Sequence, residues 1–500
     1  MSNDQESSDD EFHQNFTSII DGTLSFLIGS IASRLISFVI IILMTRVLSV
    51  DSFGVFTFMS SIAGAIAILG KLGSDKTLLK LLPKHTEDTE QQRRVLTVAI
   101  VVILFGLLFA VLVILGFKSI YNGEIKSNQY FNPVLNVFIL ILCLNVLLNT
   151  AIAVIRSLEY PRLQILIKDF IQPIFRGLGI VITLYLGYSI VGVAVGVGIG
   201  LGFALLIVAY IVINYVGIKP TNNVRKEDFT EFLNFSLPVT LQDSGTILYK
   251  HVDILMVGWL LTATDVAIYK VAFVATAYFT LPLAAFGQIF TPIASRLYES
   301  GEINDLRKTY RIIARWIITV VLFPSVAGII YRQELLSIFG QAYSESGILV
   351  VVFILSSLVV SGTGNTGSIL VMTNNQYYEL ANSWVFGILN IILNYILILE
   401  FGVLGAVIAT STTTVLSNVT GCFQLWYLEK ITPVSMELVK PFTALLPATV
   451  ITYLLSQQYY GITGMAAGTI IGFSVYIFLI YLVGIPSQDK EIWKIYMTDI

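Results

Sequence analysis

The chain has 500 residues, of which 56% are hydrophobic and only 12% charged, with a formal net charge of −3. A soluble domain carries about 25% charged residues, so this composition excludes a soluble protein and indicates a polytopic membrane protein, with no nucleic-acid partner expected. The apolar runs are continuous and show no period of two, which excludes a β-barrel and leaves helices as the fold, because backbone groups in lipid must be satisfied within their own segment.

Residues 1–18 are polar and acidic, with Asp4, Glu6, Asp9, Asp10 and Glu11 and no Lys or Arg. They read as a disordered cytosolic tail rather than the basic start of a signal peptide. Runs of about 20 or more largely apolar residues then predict fourteen transmembrane helices. These are span 1 at 22–47, span 2 at 52–79, span 3 at 94–117, span 4 at 132–156, span 5 at 163–187, span 6 at 189–216 and span 7 at 230–260. Span 8 follows at 265–292, span 9 at 308–331, span 10 at 346–373, span 11 at 377–400, span 12 at 402–428, span 13 at 438–458 and span 14 at 461–484. Residues 485–500 form a second cytosolic tail. With the N-terminus in the cytosol, 21 Lys and Arg fall on inner segments and only Arg46, Lys118, Lys126 and Arg332 on outer ones. That excess of inner cations sets the orientation and places both termini in the cytosol.

A shift of 213 residues lays Leu48-Ser-Val-Asp-Ser-Phe-Gly-Val-Phe56 on Leu261-Thr-Ala-Thr-Asp-Val-Ala-Ile-Tyr269, Arg94 on Arg307, and Val191-Gly-Val-Ala-Val195 on Leu404-Gly-Ala-Val-Ile408. Two six-helix lobes follow, the first at 19–217 and the second at 230–428, joined by a hinge linker at 218–229. Six crossings is an even number, so the lobes form a parallel pseudo-twofold repeat. The remaining segment, 436–484, supplies spans 13 and 14. Gly192, Gly196 and Gly200, with Gly198 and Gly202, form small-xxx-small steps on span 6 that allow close helix packing in lipid. Cys143 and Cys422 lie inside apolar runs and read as packing residues rather than a disulfide framework.

The charges inside the spans carry the functional signal, since a cation at bilayer depth costs about 2.5–3.5 kcal/mol even on the lenient insertion scale. Arg34 lies mid-run in span 1 with no acid at i±3 or i±4, and shares a helix face with Ser30 and Ser37. Asp243, Thr246, Lys250 and Asp253 make a polar stripe along span 7, with Lys250 and Asp253 spaced to pair. Lys270 lies inside span 8, and Lys71, four residues from Asp75, lies in the inner half of span 2. Arg34, Ser30, Ser37, Lys250, Asp253, Lys270 and Lys71 are therefore the candidate cavity residues for an anionic substrate. Arg46, Asp51 and Gly54 at the corner between spans 1 and 2 are candidate gating residues. A bland reading stands beside these, in which Arg46 and Lys71 snorkel to the interface and Lys250–Asp253 is an orienting ion pair.

Other motifs fail on context. Gly362-Thr-Gly-Asn-Thr-Gly367 matches a dinucleotide fingerprint as text but interrupts an apolar span with no strand before it. His13, His85 and His251 offer neither metal-ligand spacing nor a legible nucleophile–base pair. No metal, cofactor or catalytic residue is expected.

Three segments resemble the multidrug/oligosaccharidyl-lipid/polysaccharide exporter superfamily. They are Thr45-Arg-Val-Leu-Ser-Val-Asp-Ser-Phe-Gly-Val-Phe56, the stretch from Asp253 to Tyr269, and Glu400-Phe-Gly-Val-Leu-Gly-Ala-Val-Ile-Ala-Thr410. The chain is most similar to the polysaccharide-transporter branch, the Wzx-like flippases. That resemblance implies two lobes around a central cavity with alternating access. The implied cargo is an oligosaccharide on a polyprenyl phosphate or pyrophosphate, carried to the outer leaflet of the cytoplasmic membrane for surface polysaccharide or glycoprotein synthesis. It implies a match of Arg34 to a cavity arginine of related flippases, with Lys270 in place of a second. Membrane lipid is the implied surrounding, with a coupling ion (H+ or Na+) and glycan assembly enzymes as further candidate partners. The rival readings are a cation-coupled multidrug exporter of the same superfamily, which calls for cavity carboxylates, and a membrane glycosyltransferase or ligase, which calls for an acidic outer loop.

Overall fold

A computed structural model describes residues 32–85, 88–158, 160–216 and 219–483. The N-terminal tail, the first part of span 1 with Ser30, and the C-terminal tail lie outside these residues. Among the described residues the regular structure is entirely helical. Eleven helices are long and apolar enough to cross a membrane. Three further helical segments complete the fourteen expected spans: residues 32–47, Pro161–Tyr185 and Lys226–Leu260. The first is cut short by the limit of the described residues, the second is interrupted, and the third is too polar to score as a span.

Several spans expected to be continuous are broken. Span 2 is Val50–Lys71 and Ser74–Lys84. Span 5 is Pro161–Ile165, a π-helical turn at Leu166–Ile171, and Gln172–Tyr185. Span 7 is Lys226–Lys250 and Val252–Leu260. Span 8 is Ala263–Ala277 and Leu281–Glu299 around a tight turn at Tyr278–Thr280. Span 10 is Gly347–Thr363 and Thr366–Met372. The others run unbroken, among them span 3 at Thr89–Ile120, span 4 at Phe131–Ser157, span 6 at Ile190–Ile211, span 9 at Ile303–Ile330 and span 12 at Val403–Glu429.

The chain divides into two compact units, Met1–Ala267 and Ile268–Ile500. In the first, span 2 is the central element, with 67% of its most apolar stretch buried. Phe56 meets Phe138 of span 4 edge-on at 5.1 Å. Spans 5 and 6 touch backbone to backbone: a Cβ on Gly196 would fall 2.3 Å from the Gly179 carbonyl oxygen, and one on Gly200 2.2 Å from that of Phe175. Close approach of this kind supplies packing energy that lipid cannot. In the second row of small residues Gly202 has nothing near it and a Cβ on Gly198 would meet only Ile141 Cγ1 at 3.7 Å, so that row makes no close backbone approach. Beyond the end of span 3, the buried Tyr121 hydroxyl donates to the Gly258 carbonyl at 2.6 Å, and burial pushes its phenol pKa up.

In the second unit, Phe323 and Ala327 of span 9 pack with Ala444, Ala448 and Tyr476. Ala444 and Ala448 belong to Lys440–Gln458, span 13, and Tyr476 to Gly461–Val483, span 14. Only 22% and 17% of these two spans' apolar stretches are buried, so they stand at the edge of the unit with most of their surface turned outward.

Each unit ties the segment following its even-numbered span to a long helix. After span 6, Thr221 N–H donates to Thr97 Oγ1 of span 3 at 2.9 Å, and Asp228 Oδ2 lies 3.6 Å from Arg94 Nε with both side chains under a tenth exposed. After span 12, Arg307 of span 9 donates to the Glu429 carbonyl at 3.0 Å, and Arg315 pairs with Glu437. Removing one member of a buried pair strands the other charge. Arg94→Ala and Asp228→Ala are therefore each expected to lower the unfolding temperature in detergent, and the double variant to lower it by less than their sum. Arg94 Nε has no hydrogen-bond partner, so the coupling is expected on the order of 1 kcal/mol. Strict additivity in the double-mutant cycle would mean that charge does not hold the linker.

Candidate functional site

The breaks in spans 2, 5 and 7 create the site. Val50–Lys71 ends where Leu72 turns left-handed at φ 44°, and Gly73 follows at φ 65°. A Cβ on Gly73 would also fall 2.5 Å from the Ser236 carbonyl oxygen of span 7. Glycine is therefore required twice over, by its dihedral and by its neighbour. Lys71 is left at a helix C-terminus, where the backbone dipole favours a cation. In span 5, Pro173 lacks the N–H that would bond the Asp169 carbonyl and its ring crowds that carbonyl, which accounts for the wider turn at Leu166–Ile171. Span 7 breaks at His251, between Lys250 and Val252. Irregular backbone at membrane depth is tolerated where it is enclosed by protein or lines a cavity.

A cavity of about 290 Å3 lies among these breaks within the first unit. Ser60, Gly64 and Lys71 of span 2, Asn145 and Asn149 of span 4, Arg176 of span 5 and His251 line it, with apolar side chains between. Among its described lining residues there is no carboxylate. A second cavity of about 410 Å3 shares Lys71 and His251 with the first, and adds Gly73, Asp75, Lys76 and Asp243. Here the charges are matched. Lys71 Nζ lies 3.3 Å from Asp75 Oδ2, and Lys76 Nζ lies 2.6 Å from Asp243 Oδ1.

Arg176 differs from both lysines. It is exposed, sits in the middle of a span and is one of the residues that line the cavity. Among the described residues no side chain forms an ion pair with it. Asn145 and Asn149 each donate through Nδ2 to the carbonyl four residues back, at 3.1 and 2.7 Å, which holds the amides in place and leaves Oδ1 as an acceptor. Fixed amides, one serine hydroxyl and an unopposed guanidinium suit an anion bearing hydroxyl groups. Among the described residues no set of three His, Cys, Asp or Glu side chains is arranged to hold a metal ion.

A family model described as polysaccharide biosynthesis protein matches residues 19–298, more than half of the chain. The chain belongs to this polysaccharide biosynthesis protein family. A second model, MatE, matches residues 238–396. Two relatives come from Haloferax volcanii. A protein named probable flippase AglR is 30% identical over 179 residues, which span 34% of this chain and 37% of that protein's length. One named probable low-salt glycan biosynthesis flippase Agl15 is 22% identical over 404 residues, covering 79% of this chain and 81% of the relative. Among solved structures, lipid II flippase MurJ in an inward closed conformation has a TM-score of 0.70 at 16% identity, covering 91% of this chain and 97% of that one. An inward-facing multidrug resistance MATE family transporter of the MOP superfamily has a TM-score of 0.66 at 14% identity, covering 80% and 94%. These likenesses establish the fold, that of the superfamily whose motifs the corner segments resemble.

In this polysaccharide biosynthesis protein, the residues singled out by sequence lie at several places. Lys71 lines both cavities. Arg34 and Ser37 are exposed on residues 32–47, and Ser37 Oγ donates to the Ser33 carbonyl at 2.9 Å. Neither lines these two cavities. Ser30 and the Lys250 side chain lie outside the described residues. Asp253 is half-buried in the first turn of Val252–Leu260. Lys270 is half-buried in the second unit, its Nζ 5.9 Å from the Phe273 ring centre. At the corner, Arg46 is exposed, Asp51 accepts from Asn128 Nδ2, and Gly54 abuts the Ala263 carbonyl. Sequence reasoning passed over Arg176, Asn145 and Asn149. Arg176 carries the same signal as Arg34, a cation at the middle of an apolar run, and the two asparagines carry a spacing of four on one helix face.

Proposed function

We propose that the protein is a flippase that moves a polyprenyl-(pyro)phosphate-linked oligosaccharide from the cytosolic to the outer leaflet of the cell membrane, acting as a transporter rather than an enzyme. The observation that carries this reading is the cavity inside the membrane-spanning helices where Arg176 and Lys71 meet two tethered amides, with no carboxylate among the described lining residues. A phosphate head cannot cross hydrocarbon without its charge being met, and a wet basic cavity meets it. The names of the Haloferax relatives, both flippases and one of them assigned to glycan biosynthesis, support the same cargo class.

In this mechanism the lobes at 19–217 and 230–428 alternate access about the linker at 218–229, both termini being cytosolic. Arg34, Ser30 and Ser37 from the first lobe, and Lys250, Asp253 and Lys270 from the second, contact the head group along its path beside Lys71. Arg46, Asp51 and Gly54 act at the outer corner as the gate. The prenyl chain stays in lipid. Either H+ or Na+ supplies the coupling, and glycan assembly enzymes supply the cargo. The multidrug-exporter reading needs an acidic cavity for cationic drugs, whereas the two carboxylates among the described lining residues, Asp75 and Asp243, are bridged to lysines.

The experiment is a leaflet assay in proteoliposomes with a fluorescent polyprenyl-linked oligosaccharide. Purified protein is expected to make the lipid accessible to a reagent in the opposite compartment, and to leave organic cations where they were. Cation movement down an ion gradient with no lipid flipping would replace this reading by drug export.

A further inference from the structure

We infer that the face of Ser74–Lys84 carrying Lys76, Lys80 and Lys84 is the cytosolic entrance for the anionic head group, held shut by span 7 until the head group takes the lysines over. The inference rests on the flippase reading and adds an entry site to it. The three lysines are spaced by four, so they lie along one helix face. They cover about 12 Å of helix, and each of them is met by a side chain of Lys226–Lys250. Lys84 Nζ lies 2.6 Å from Glu231 Oε1, Lys80 Nζ 3.9 Å from the Phe235 ring centre, and Lys76 Nζ 2.6 Å from Asp243 Oδ1. Residue numbers fall along one helix as they rise along the other, so the two run antiparallel and the contacts close a single seam turn by turn. Both helices belong to the first unit.

The seam leads to the cavity. Lys76 and Asp243 line the larger of the two cavities, which shares Lys71 and His251 with the one that Arg176 lines. Lys71 stands beyond the break at Leu72–Gly73, so cations follow one another from the end of span 2 into the cavity. The contacts that shut the seam are of a kind that an anion can exchange. The Lys76 and Lys84 side chains keep 47% and 57% of their surface open, and exposed ion pairs are weak and screened by salt. A phosphate oxygen offers each lysine a charge-assisted bond in place of the carboxylate. At the other end of the same two spans the contacts are buried. A Cβ on Gly258 would fall 2.2 Å from the Phe58 ring, and the Tyr121 hydroxyl bonds the Gly258 carbonyl. The seam therefore parts at its lysine end while that end holds.

The test reads flipping of the fluorescent polyprenyl-linked oligosaccharide in proteoliposomes over a series of lipid contents, with thermal unfolding alongside to confirm folding. Glu231→Gln and Lys84→Gln break the same pair. Glu231→Gln leaves Lys84 to the head group and is expected to flip subsaturating lipid at least threefold faster. Lys84→Gln removes the receiving charge and is expected to flip it at least threefold more slowly, with the maximal rate kept. Changes in the same direction, or none in either variant, mean that the pair only joins two helices, and overturn the entrance. A second experiment joins Lys84→Cys to Glu231→Cys, in a protein with Cys143→Ser and Cys422→Ser, through a bifunctional thiol reagent that reductant cleaves. Joining is expected to stop flipping and reductant to restore it. Unchanged flipping by the joined protein overturns the entrance and leaves the flippase reading intact. Failure of the wild-type protein to flip the lipid overturns the flippase reading, and the entrance falls with it.

Discussion

Arg176→Ala is expected to bring flipping of the lipid-linked oligosaccharide close to background while the protein stays folded. The two halves of that expectation have one physical source. Among the described residues Arg176 has no acidic partner, so its removal strands no buried carboxylate. Loss of Lys71, by contrast, would leave Asp75 without its cation. A charge-assisted contact to substrate contributes about 1.5–3 kcal/mol, which is roughly ten- to hundredfold in affinity. Arg176→Lys keeps the charge and loses the bidentate fork, so its rate is expected between those of the wild type and the alanine variant. Since a cation at bilayer depth is itself costly, the unfolding temperature of Arg176→Ala is expected to be unchanged or higher. Lost flipping with retained stability is the pattern of a residue kept for function. Wild-type flipping by Arg176→Ala would remove this side chain from the site.

Gly54→Val is expected to destabilise the first unit by roughly 1–3 kcal/mol or more. Gly54 lies in the first turns of Val50–Lys71, directly against the start of span 8. A Cβ there would fall 1.7 Å from the Ala263 carbonyl oxygen and 2.5 Å from its carbonyl carbon. Both partners are backbone, so no rotamer change relieves the contact and the two corners must separate. Neighbouring Phe53, Val55 and Phe56 are all buried, which leaves no soft surface to absorb the shift. Gly54→Ala is expected to follow the same direction with a smaller fall. The measurement is thermal unfolding in detergent, paired with the flipping assay. An unaltered unfolding temperature for the valine variant would mean that the corners are not in contact in the membrane. Because the same corner is proposed as the gate, a folded Gly54→Ala protein is also expected to flip lipid more slowly.

Helix count was legible in the sequence because a span is a compositional object: about 20 apolar residues in a row suffice. The repeat was legible too, in the corner segments at 48–56 and 261–269. What the repeat preserves is the contact more than the residue. The 213-residue shift sets Arg94 on Arg307, and Arg307 does tie down the segment after span 12, but through the Glu429 carbonyl. The ion pair corresponding to Arg94–Asp228 comes from Arg315 and Glu437. Lys71–Asp75 was legible as a spacing of four and forms as a pair. Arg176 carries the same signal as Arg34 but a weaker one, because Arg162, Lys168 and Asp169 lie in the same segment and the apolar run around it is less clean.

The sequence by itself determined the class, the positions of the spans and the family, because these depend on composition and local order along the chain. Tertiary structure decided the rest. The break at Leu72–Gly73 lies inside what the sequence reads as one continuous span, and it becomes visible only with the left-handed backbone there and the Ser236 carbonyl against Gly73. The π-helical turn in span 5 and the break at His251 are not recorded in any periodicity. Packing of spans 2, 4 and 5 brings Lys71, Asn145, Asn149 and Arg176 to one space, sets Asp75 and Asp243 against lysines, and leaves Arg176 without an acidic partner among the described residues. Charge neutralisation is a matter of distance between side chains far apart in sequence, and only packing sets that distance.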